Sequence, residues 1–308
     1  MIHTRHALVR SFIDYAGLFP PAGLGMQDAV QRYADYQRRT DRWALARLVV
    51  PVARLGEFEA ALAALSPVDR NASRFPVAAL AGLDLGADRA AIEAFNQRHG
   101  GQHGVQVESI ELRVASVADI DAAGERLGTA LELYCELPLS ADLPSLVSAT
   151  RRIGARAKIR MGGVKPVDFP APEAVLAFLA SCAAERLACK ATAGLHHPVR
   201  GPAPLTYEPG SARTTMYGYI NLVLAAAALW HRRPESQAYE LLRLPDRASL
   251  QIGSEGVTWG GVKLSAGEID TTRRHFLLAI GSCSFTEPMD ELAEMTGPID
   301  AYPATGAA

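Results

Sequence analysis

Two lysines, each placed shortly before a glycine, are the residues of this sequence with the most distinctive chemistry. Lys158 lies in the segment Lys-Ile-Arg-Met-Gly-Gly, and Lys190 lies in the segment Lys-Ala-Thr-Ala-Gly-Leu. A lysine that is partly desolvated beside other cations loses proton affinity and can attack a carbonyl as a free amine. The pair therefore indicates Schiff-base chemistry.

Other charged residues lie at the ends of short apolar segments, namely Asp14, Glu111, Arg113, Glu136 and Arg160. If these segments are strands of a parallel barrel, their charged ends meet at one mouth, where barrel chemistry takes place. Isolated charges there would cost several kcal/mol each, so three carboxylates and four cations are expected to pair with one another. A network of ion pairs that only stabilises the barrel is the alternative interpretation.

Small residues follow three of the predicted strands and suggest turns whose backbone N–H groups can bind phosphate or carboxylate. Glycines that merely allow tight strand-to-helix turns are the alternative. The candidate substrate-binding residues are Arg160, Glu136, Arg113, Thr192, His196, His197, Gly162, Gly163, Gly194, Gly281, Ser282 and Ser284.

A metal site is the second interpretation of the polar residues. His196 or His197, with Glu136, Glu111 or Asp14, could hold a divalent cation that polarises a carbonyl. Adjacent histidines in an extended segment point in different directions, and the nearby cations repel a metal ion. We therefore expect no metal and no other cofactor.

These residues can lie close together only in a fold whose strand ends meet. The alternation of strands and helices predicts such a fold. The predicted strands are Ser11–Asp14, Leu45–Pro51, Val77–Leu83, Ser109–Val114, Leu131–Glu136, Ala157–Met161, Leu187–Thr192 and Leu277–Gly281. The predicted helices between them include Met26–Arg39, Leu55–Leu65, Ala87–Arg98, Val117–Leu127 and Pro172–Glu185. This repeat indicates an α/β fold, the (β/α)8 TIM barrel. A doubly wound sheet usually has a G-x-G-x-x-G turn after its first strand, and this sequence has none.

A long insertion, residues 199–274, separates the seventh and eighth predicted strands. Its predicted elements are an apolar helix Thr215–Trp230, a helix Glu235–Leu242, a β-hairpin Ser249–Leu264 and a helix that begins at Ser265. A helix Glu287–Met295 then closes the chain. We expect one barrel domain, residues 1–298, and a tail, residues 299–308. The insertion is a candidate lid or homo-oligomer contact.

The 308 residues are 49% hydrophobic and 21% charged, which indicates a globular protein. A net charge of -2 and a pI near 6.5 give no sign of a nucleic-acid or membrane partner, so the expected partner is a small-molecule substrate. Four cysteines without metal-ligand spacing suggest buried thiols. Neither a signal-peptide core nor a membrane span is predicted, because the apolar run Ile220–Trp230 is shorter than the roughly 20 residues required. A cytoplasmic location is expected.

The ordered segments resemble the motifs of the deoxyribose-phosphate aldolase family of class I aldolases. Ile13–Pro20 resembles its opening I-D-H-T-x-L segment, Ser109–Val114 resembles its E-I-D-x-V strand, and Leu133–Glu136 is similar to its I-x-E-T segment. Lys158–Gly162 falls where the family has K-T-S-T-G, and Lys190–Leu195 is similar to K-A-S-G-G-I. Ile280–Ser284 resembles the phosphate-binding I-G-T-S-S turn. Order and rough spacing agree over most of residues 11–198 and again near 280.

The resemblance implies that Lys158 forms the Schiff base, that Lys190 activates it, that Glu111 transfers protons and that Asp14 joins a relay at Lys190. The chain departs from the family where Arg160 and Met161 replace small hydroxyl residues, where Glu111 replaces aspartate, and at His196-His197-Pro198. Arg160 could clamp a carboxylate or phosphate. We therefore expect a small anionic carbonyl substrate that differs from the relatives' sugar phosphate.

Three functions follow from these observations. The first is a Schiff-base lyase of the aldolase type. The second is a metal-dependent barrel lyase or hydrolase that uses His196 or His197 with carboxylates. The third is a non-catalytic barrel in which Arg113, Lys158, Arg160 and Lys190 hold an anion.

Overall fold

Seven parallel strands follow one another around a barrel wall in the computed structural model, which describes residues 3–72, 74–100, 104–128, 130–245 and 247–297. Each strand pairs with the next one along the chain. They are β1 (Ile13–Tyr15), β2 (Leu45–Pro51), β3 (Phe75–Leu80), β4 (Val105–Arg113), β5 (Glu132–Glu136), β6 (Arg156–Arg160) and β7 (Cys189–Thr192). Most of their residues are buried, as expected for strands covered on both faces.

The helices up to β7 are α1 (Thr4–Val9), α2 (Met26–Tyr36), α3 (Leu55–Ala64), α4 (Pro67–Ala72), α5 (Leu85–His99), α6 (Val117–Leu127), α7 (Leu143–Arg152) and α8 (Pro172–Ala184). At the start of α6, the Ser116 hydroxyl accepts the Asp119 N–H and the Asp119 carboxylate accepts the Ser116 N–H. This predicted capping box is therefore present.

The apolar stretch Pro166–Ala184 is long enough, by length and composition alone, to cross a membrane. In the fold it is a 3-10 turn, Pro166–Asp168, followed by the outer helix α8. Val175, Phe178, Leu179 and Cys182 recur at helical spacing and are buried. These four residues form the face of α8 that packs against the core, and a cytoplasmic location stays a prediction.

The insertion after β7 forms two small sheets and three helices. It contains the ribbon β8 (Gly201–Pro204) and β9 (Arg213–Met216), then α9 (Tyr219–Trp230), α10 (Glu235–Arg243), β10 (Gln251–Gly253), β11 (Gly256–Trp259), β12 (Val262–Ser265) and α11 (Ala266–His275). All twelve residues of α9 are buried within the chain. A contact with a second copy would therefore have to use other parts of the insertion.

The eighth barrel strand, β13 (Leu277–Ser282), lies between β7 and β1 and closes the barrel, and α12 (Thr286–Thr296) follows it. The predicted (β/α)8 barrel with an insertion between strands seven and eight is thus confirmed. The predicted tail, residues 299–308, lies outside the described residues.

Several element boundaries and two elements of the insertion differ from the predictions. The predicted hairpin Ser249–Leu264 is a three-stranded antiparallel sheet of β10, β11 and β12. The β8–β9 ribbon was not predicted, because its first strand reads Gly-Pro-Ala-Pro; proline is tolerated there since a two-stranded ribbon has only edge strands.

Local contacts explain the shifted strand ends. The strand predicted over Val77–Leu83 ends at Leu80, because the chain turns where the N–H of Gly82 donates to Asp88 at 2.6 Å. The strand predicted over Ser11–Asp14 begins only at Ile13, since Ser11 has a left-handed φ of 46°.

Candidate active site

Strand register places the predicted catalytic residues at one end of the barrel. Lys158 on β6 lies opposite Lys190 on β7, and Glu136 on β5 lies opposite Lys158. Asp14 on β1 lies opposite Gly281 on β13. Because all eight strands run in the same direction, their carboxyl ends share one mouth. The predicted charges therefore converge there.

The catalytic candidates form a continuous set of buried ion pairs. Nζ of Lys190 contacts Oδ2 of Asp14 and lies 2.6 Å from Oε1 of Glu111. Nζ of Lys158 lies 2.7 Å from Oε2 of the same glutamate and 2.9 Å from Oε2 of Glu136. One carboxylate, that of Glu111, thus bridges the two amines.

The buried charges shift each other's protonation. Burial alone would raise the pKa of Glu111, but the ammonium groups of Lys190 and Lys158 outweigh it and hold that pKa at about 2. Burial alone would lower the pKa of Lys190, but the carboxylates of Asp14 and Glu111 raise it above its ordinary value. Glu111 is therefore ionised and Lys190 is charged at neutral pH, as strong mutual pairing requires.

A cavity of about 210 Å³ opens above Lys158 at the carboxyl ends of the strands. Lys158 and Glu111 line it, whereas Lys190, which is 0% exposed, does not. One side is apolar, with Phe19, Val49 and Leu80. Lys158 is therefore the lysine that a bound molecule can reach.

The predicted substrate-binding residues divide into two groups. Those that line the cavity are Arg160, Thr192, His196, Gly163, Gly194 and Gly281. Those that do not line it are Glu136, Arg113, His197, Gly162, Ser282 and Ser284. Arg160 is exposed, and among the described residues no carboxylate forms an ion pair with it, so its guanidinium is available to an anionic ligand.

The serines predicted for anion binding are engaged within the protein. Ser284 accepts the N–H of Glu287 at 3.1 Å and so caps the start of α12. The hydroxyl of Ser282 is buried 3.3 Å from Nδ1 of His196. Neither serine lines the cavity, since the hydroxyl of Ser282 contacts His196 and that of Ser284 accepts an N–H in the first turn of α12.

The turn after β7 depends on glycine. Gly194 has a left-handed φ of 67°, and a Cβ there would lie 2.8 Å from the ring of Phe169. A Cβ on Gly162 would lie 2.6 Å from the same ring. These glycines let the loops after β6 and β7 pack closely above Lys158.

His196 and His197 point in different directions, as predicted. His196 is buried beside the cavity, and burial, followed by the nearby His197, lowers its pKa to about 4. It is therefore neutral at physiological pH and can donate or accept a hydrogen bond. Nδ1 of His197 lies 2.7 Å from Glu291 on α12, which raises the pKa of His197.

The metal set suggested by the sequence does not form among the described residues. Glu136 is paired with Lys158 and with Arg113, at 3.0 Å, and is not brought to His196 or His197. Only His197 belongs to a cluster with metal-ligand geometry in the described part of the chain, and its partners are Glu287 and Glu291. Sequence reasoning missed them because they lie on α12, far away along the chain.

Sequence reasoning also missed several cavity residues. Pro20 and Pro21, which follow β1, line the cavity, as do Asp168 and Cys283. Tyr134 lies beneath the site, with Nζ of Lys190 5.2 Å from the centre of its ring. A proline pair in the loop that follows a barrel strand was the available signal for the first two.

A larger cavity, of about 650 Å³, lies at the opposite end of the barrel. Arg47, Arg156, Glu108 and Glu132 line it and pair with one another. Catalytic residues of barrel enzymes lie at the carboxyl ends of the strands, so the smaller cavity is the candidate active site despite its size.

No family model and no curated protein matches this chain. A solved structure described as "QR15, an Aldolase" is similar at 13% sequence identity with a TM-score of 0.38. The match covers 60% of this chain and 80% of that one. At this distance the likeness transfers no chemistry, so the function is argued from the site itself.

Proposed function

We propose that this chain is a class I aldolase-like lyase that forms a Schiff base between Lys158 and a small anionic carbonyl compound. The observation that carries the proposal is the position of Lys158. Lys158 lines the cavity at the carboxyl end of the barrel, and its side chain is only 8% exposed. A desolvated amine in reach of a ligand is the arrangement that carbonyl attack needs.

Lys190 supports this role without serving as the nucleophile. Asp14 and Glu111 hold its ammonium on two sides, and it has no access to the cavity. A fixed charge of this kind orients Glu111 toward Lys158.

The proposed chemistry needs one amine and one proton relay. Lys158 first gives up its ammonium proton and its neutral amine attacks the carbonyl carbon. The nitrogen then loses a second proton as the carbonyl oxygen gains one, which gives a carbinolamine, and a further proton on that oxygen allows it to leave. Loss of that oxygen as water leaves an iminium. The iminium accepts the electron pair of the breaking C–C bond as the β-hydroxyl loses its proton, which yields an aldehyde and an enamine. Protonation of the enamine carbon and hydrolysis release the ketone or second aldehyde and restore Lys158.

Glu111 is the candidate relay for the proton that leaves Lys158, because its Oε2 lies 2.7 Å from Nζ. Glu136 also contacts that amine, at 2.9 Å. Neutral His196, on the cavity wall, is placed to bond a hydroxyl or carbonyl oxygen of the substrate. Both carboxylates lie within the range in which side chains transfer protons directly to or from the amine.

The cavity limits the size and the chemical character of the substrate. Its volume of about 210 Å³ is below the roughly 300–1,000 Å³ of sites for drug-sized ligands, so the substrate is small. Arg160 offers an unpaired guanidinium at the rim, suited to a carboxylate or phosphate. The apolar side formed by Phe19, Val49 and Leu80 suits the carbon chain.

The test is substrate-dependent inactivation by borohydride, which reduces an iminium to a stable secondary amine. A panel of small 2-oxo acids and phosphorylated aldehydes would be screened with the wild type, Lys158→Met and Lys165→Met. Lys165 lies just beyond the same strand and is exposed, so it is a matched control. We expect inactivation of the wild type and Lys165→Met, and none of Lys158→Met. A compound that binds without ever being trapped would contradict the proposal and favour a non-catalytic anion-binding barrel.

A further inference from the structure

A second polar cluster lies where the loop after β7 meets α12, and the proposed Schiff-base chemistry does not use it. It consists of His197, Glu287 and Glu291, whose candidate ligand atoms all lie within 4.8 Å of one another. We refer to these three residues as the His-Glu-Glu cluster. Nδ1 of His197 is 2.7 Å from Oε1 of Glu291, and Tyr207 donates to Oε2 of Glu287 at 3.1 Å.

The cluster joins two carboxylates whose ion-pair partners, within the described part of the chain, are histidines. Glu287 and Glu291 are four residues apart on α12, so their side chains leave the helix from the same face. Among the residues that the structure describes, neither carboxylate forms an ion pair with a lysine or arginine. Their basic neighbours are His197 and, 3.8 Å from Glu287, His196. Half-buried carboxylates in this arrangement gain most from a cation between them.

Backbone contacts hold the cluster in place. The N–H of Tyr219 donates to the carbonyl of His197 at 3.0 Å, and the N–H of Ile220 donates to Pro198 at 2.9 Å. The buried hydroxyl of Tyr219 donates to the carbonyl of Pro288, at the start of α12, at 2.9 Å. One residue of α9 thus fixes both the histidine segment and the glutamate helix. Such support is what a preorganised metal site requires.

We propose that the His-Glu-Glu cluster binds a divalent transition-metal ion, with Zn²⁺ the best match. One imidazole nitrogen and two carboxylate oxygens suit Zn²⁺, and a water can take the fourth position. Ligand atoms of tetrahedral Zn²⁺ lie roughly 3.3 Å apart when each is about 2.0 Å from the metal. His197 and Glu291 therefore need to separate by a few tenths of an ångström, and their partly exposed side chains, at 22% and 35%, allow this.

Such an ion would connect the loop after β7 to α12, the helix that follows β13. His197 follows His196, which lines the cavity, and α12 begins just after Cys283, which also lines it. The ion would therefore brace one wall of the candidate active site without contacting Lys158. The inference is independent of Schiff-base formation, because the Lys158 pathway needs no metal.

The experiment is Zn²⁺ titration of the full-length protein, pretreated with a chelator, by calorimetry and by thermal unfolding. We expect one site and a rise in Tm. Glu291→Gln and His197→Gln should each weaken Zn²⁺ binding by at least about tenfold and remove the rise in Tm. Glu294→Gln is the matched control, since Glu294 lies on the same helix with a 68% exposed side chain. It should behave as the wild type.

Zn²⁺ affinity unchanged in both Glu291→Gln and His197→Gln would overturn the proposal. So would an intense sulfur-to-metal charge-transfer band with Co²⁺, because it would move the ion to a thiolate such as that of Cys283. Circular dichroism confirms that each variant is folded, and Glu287→Gln replaces either one that is not. None of these readouts depends on lyase activity, so their failure leaves the Schiff-base proposal untouched.

Discussion

Removal of the Lys190 amine tests whether the buried ion pairs are as interdependent as their geometry implies. In Lys190→Met, the carboxylate of Asp14 keeps one donor, the backbone N–H of Arg47 at 2.9 Å. Glu111 keeps only Lys158. Asp14 is 1% exposed and Glu111 2%, so bulk water has little access to either carboxylate, although Asp14 borders the cavity at the opposite end of the barrel. Breaking a buried pair from one side costs about 3–5 kcal/mol, and we expect a loss of this size in the free energy of unfolding.

The double variant Lys190→Met with Asp14→Asn distinguishes the cost of an uncompensated buried charge from the cost of lost packing. It removes both members of the Lys190–Asp14 pair but leaves Glu111 without Lys190, so part of the loss should be recovered, with a coupling energy of about 2 kcal/mol. Urea unfolding at pH 7, followed by circular dichroism and analysed by linear extrapolation, measures each value. Lys263→Met is the matched control. That lysine is 54% exposed and pairs only with exposed Glu255, so its loss should change stability by less than about 0.5 kcal/mol.

Two results would refute this reasoning. A cost below about 1 kcal/mol for Lys190→Met would show that Asp14 is neutral or hydrated in the folded protein. Strictly additive effects of the two substitutions would show that the residues act independently. Either result would also remove the basis for Lys190 as the group that fixes Glu111.

Three further outcomes are expected. Arg160→Ala should raise KM for an active anionic substrate by about 10- to 100-fold with kcat changed less, since a charge-assisted hydrogen bond contributes about 1.5–3 kcal/mol; a loss confined to kcat would contradict a binding role. The pKa of Glu111 falls from 4.5 to about 2 on folding, so its stabilisation, on the order of 3 kcal/mol, is complete above pH 4.5 and disappears as the pH falls towards 2. Glu111→Gln should accordingly lose less stability than the wild type between pH 5 and 2, and parallel acid-unfolding curves would disprove the assignment. The pKa of Lys190 is raised on folding, so its ammonium stabilises the folded state below pH 10.5. That stabilisation is lost only in stronger base. Gly194→Ala should lower Tm and reactivity with carbonyl compounds together, because its Cβ would meet the ring of Phe169 at 2.8 Å in a left-handed turn; unchanged values would show that the turn is adaptable.

The barrel and the bounds of some of its elements could be predicted because they depend on local patterns. Leu45–Pro51 and Val117–Leu127 have the predicted bounds, since a β-branched run and a capping box fix them locally. The convergence of Lys158 and Lys190 follows from parallel neighbouring strands, which place equivalent positions side by side. These features need no knowledge of side-chain direction.

The pairing within the site could not be predicted, because it depends on side-chain direction and on register across the whole barrel. The sequence did not indicate that Glu111 would bridge both lysines while Glu136 paired with Lys158 and Arg113. Nor did it indicate that His197 would turn to Glu291 on a helix almost a hundred residues later, or that Ser284 would cap that helix. Each of these contacts joins segments that only the closed barrel brings together.

The location of a trapped adduct tests the central claim most directly. The protein would be incubated with an active carbonyl compound, reduced with borohydride, digested and mapped by mass spectrometry. The proposal predicts one added mass, carried by the peptide that contains Lys158, with the Lys190 peptide unmodified. An adduct on Lys190, or one spread over exposed lysines such as Lys165 and Lys263, would contradict it.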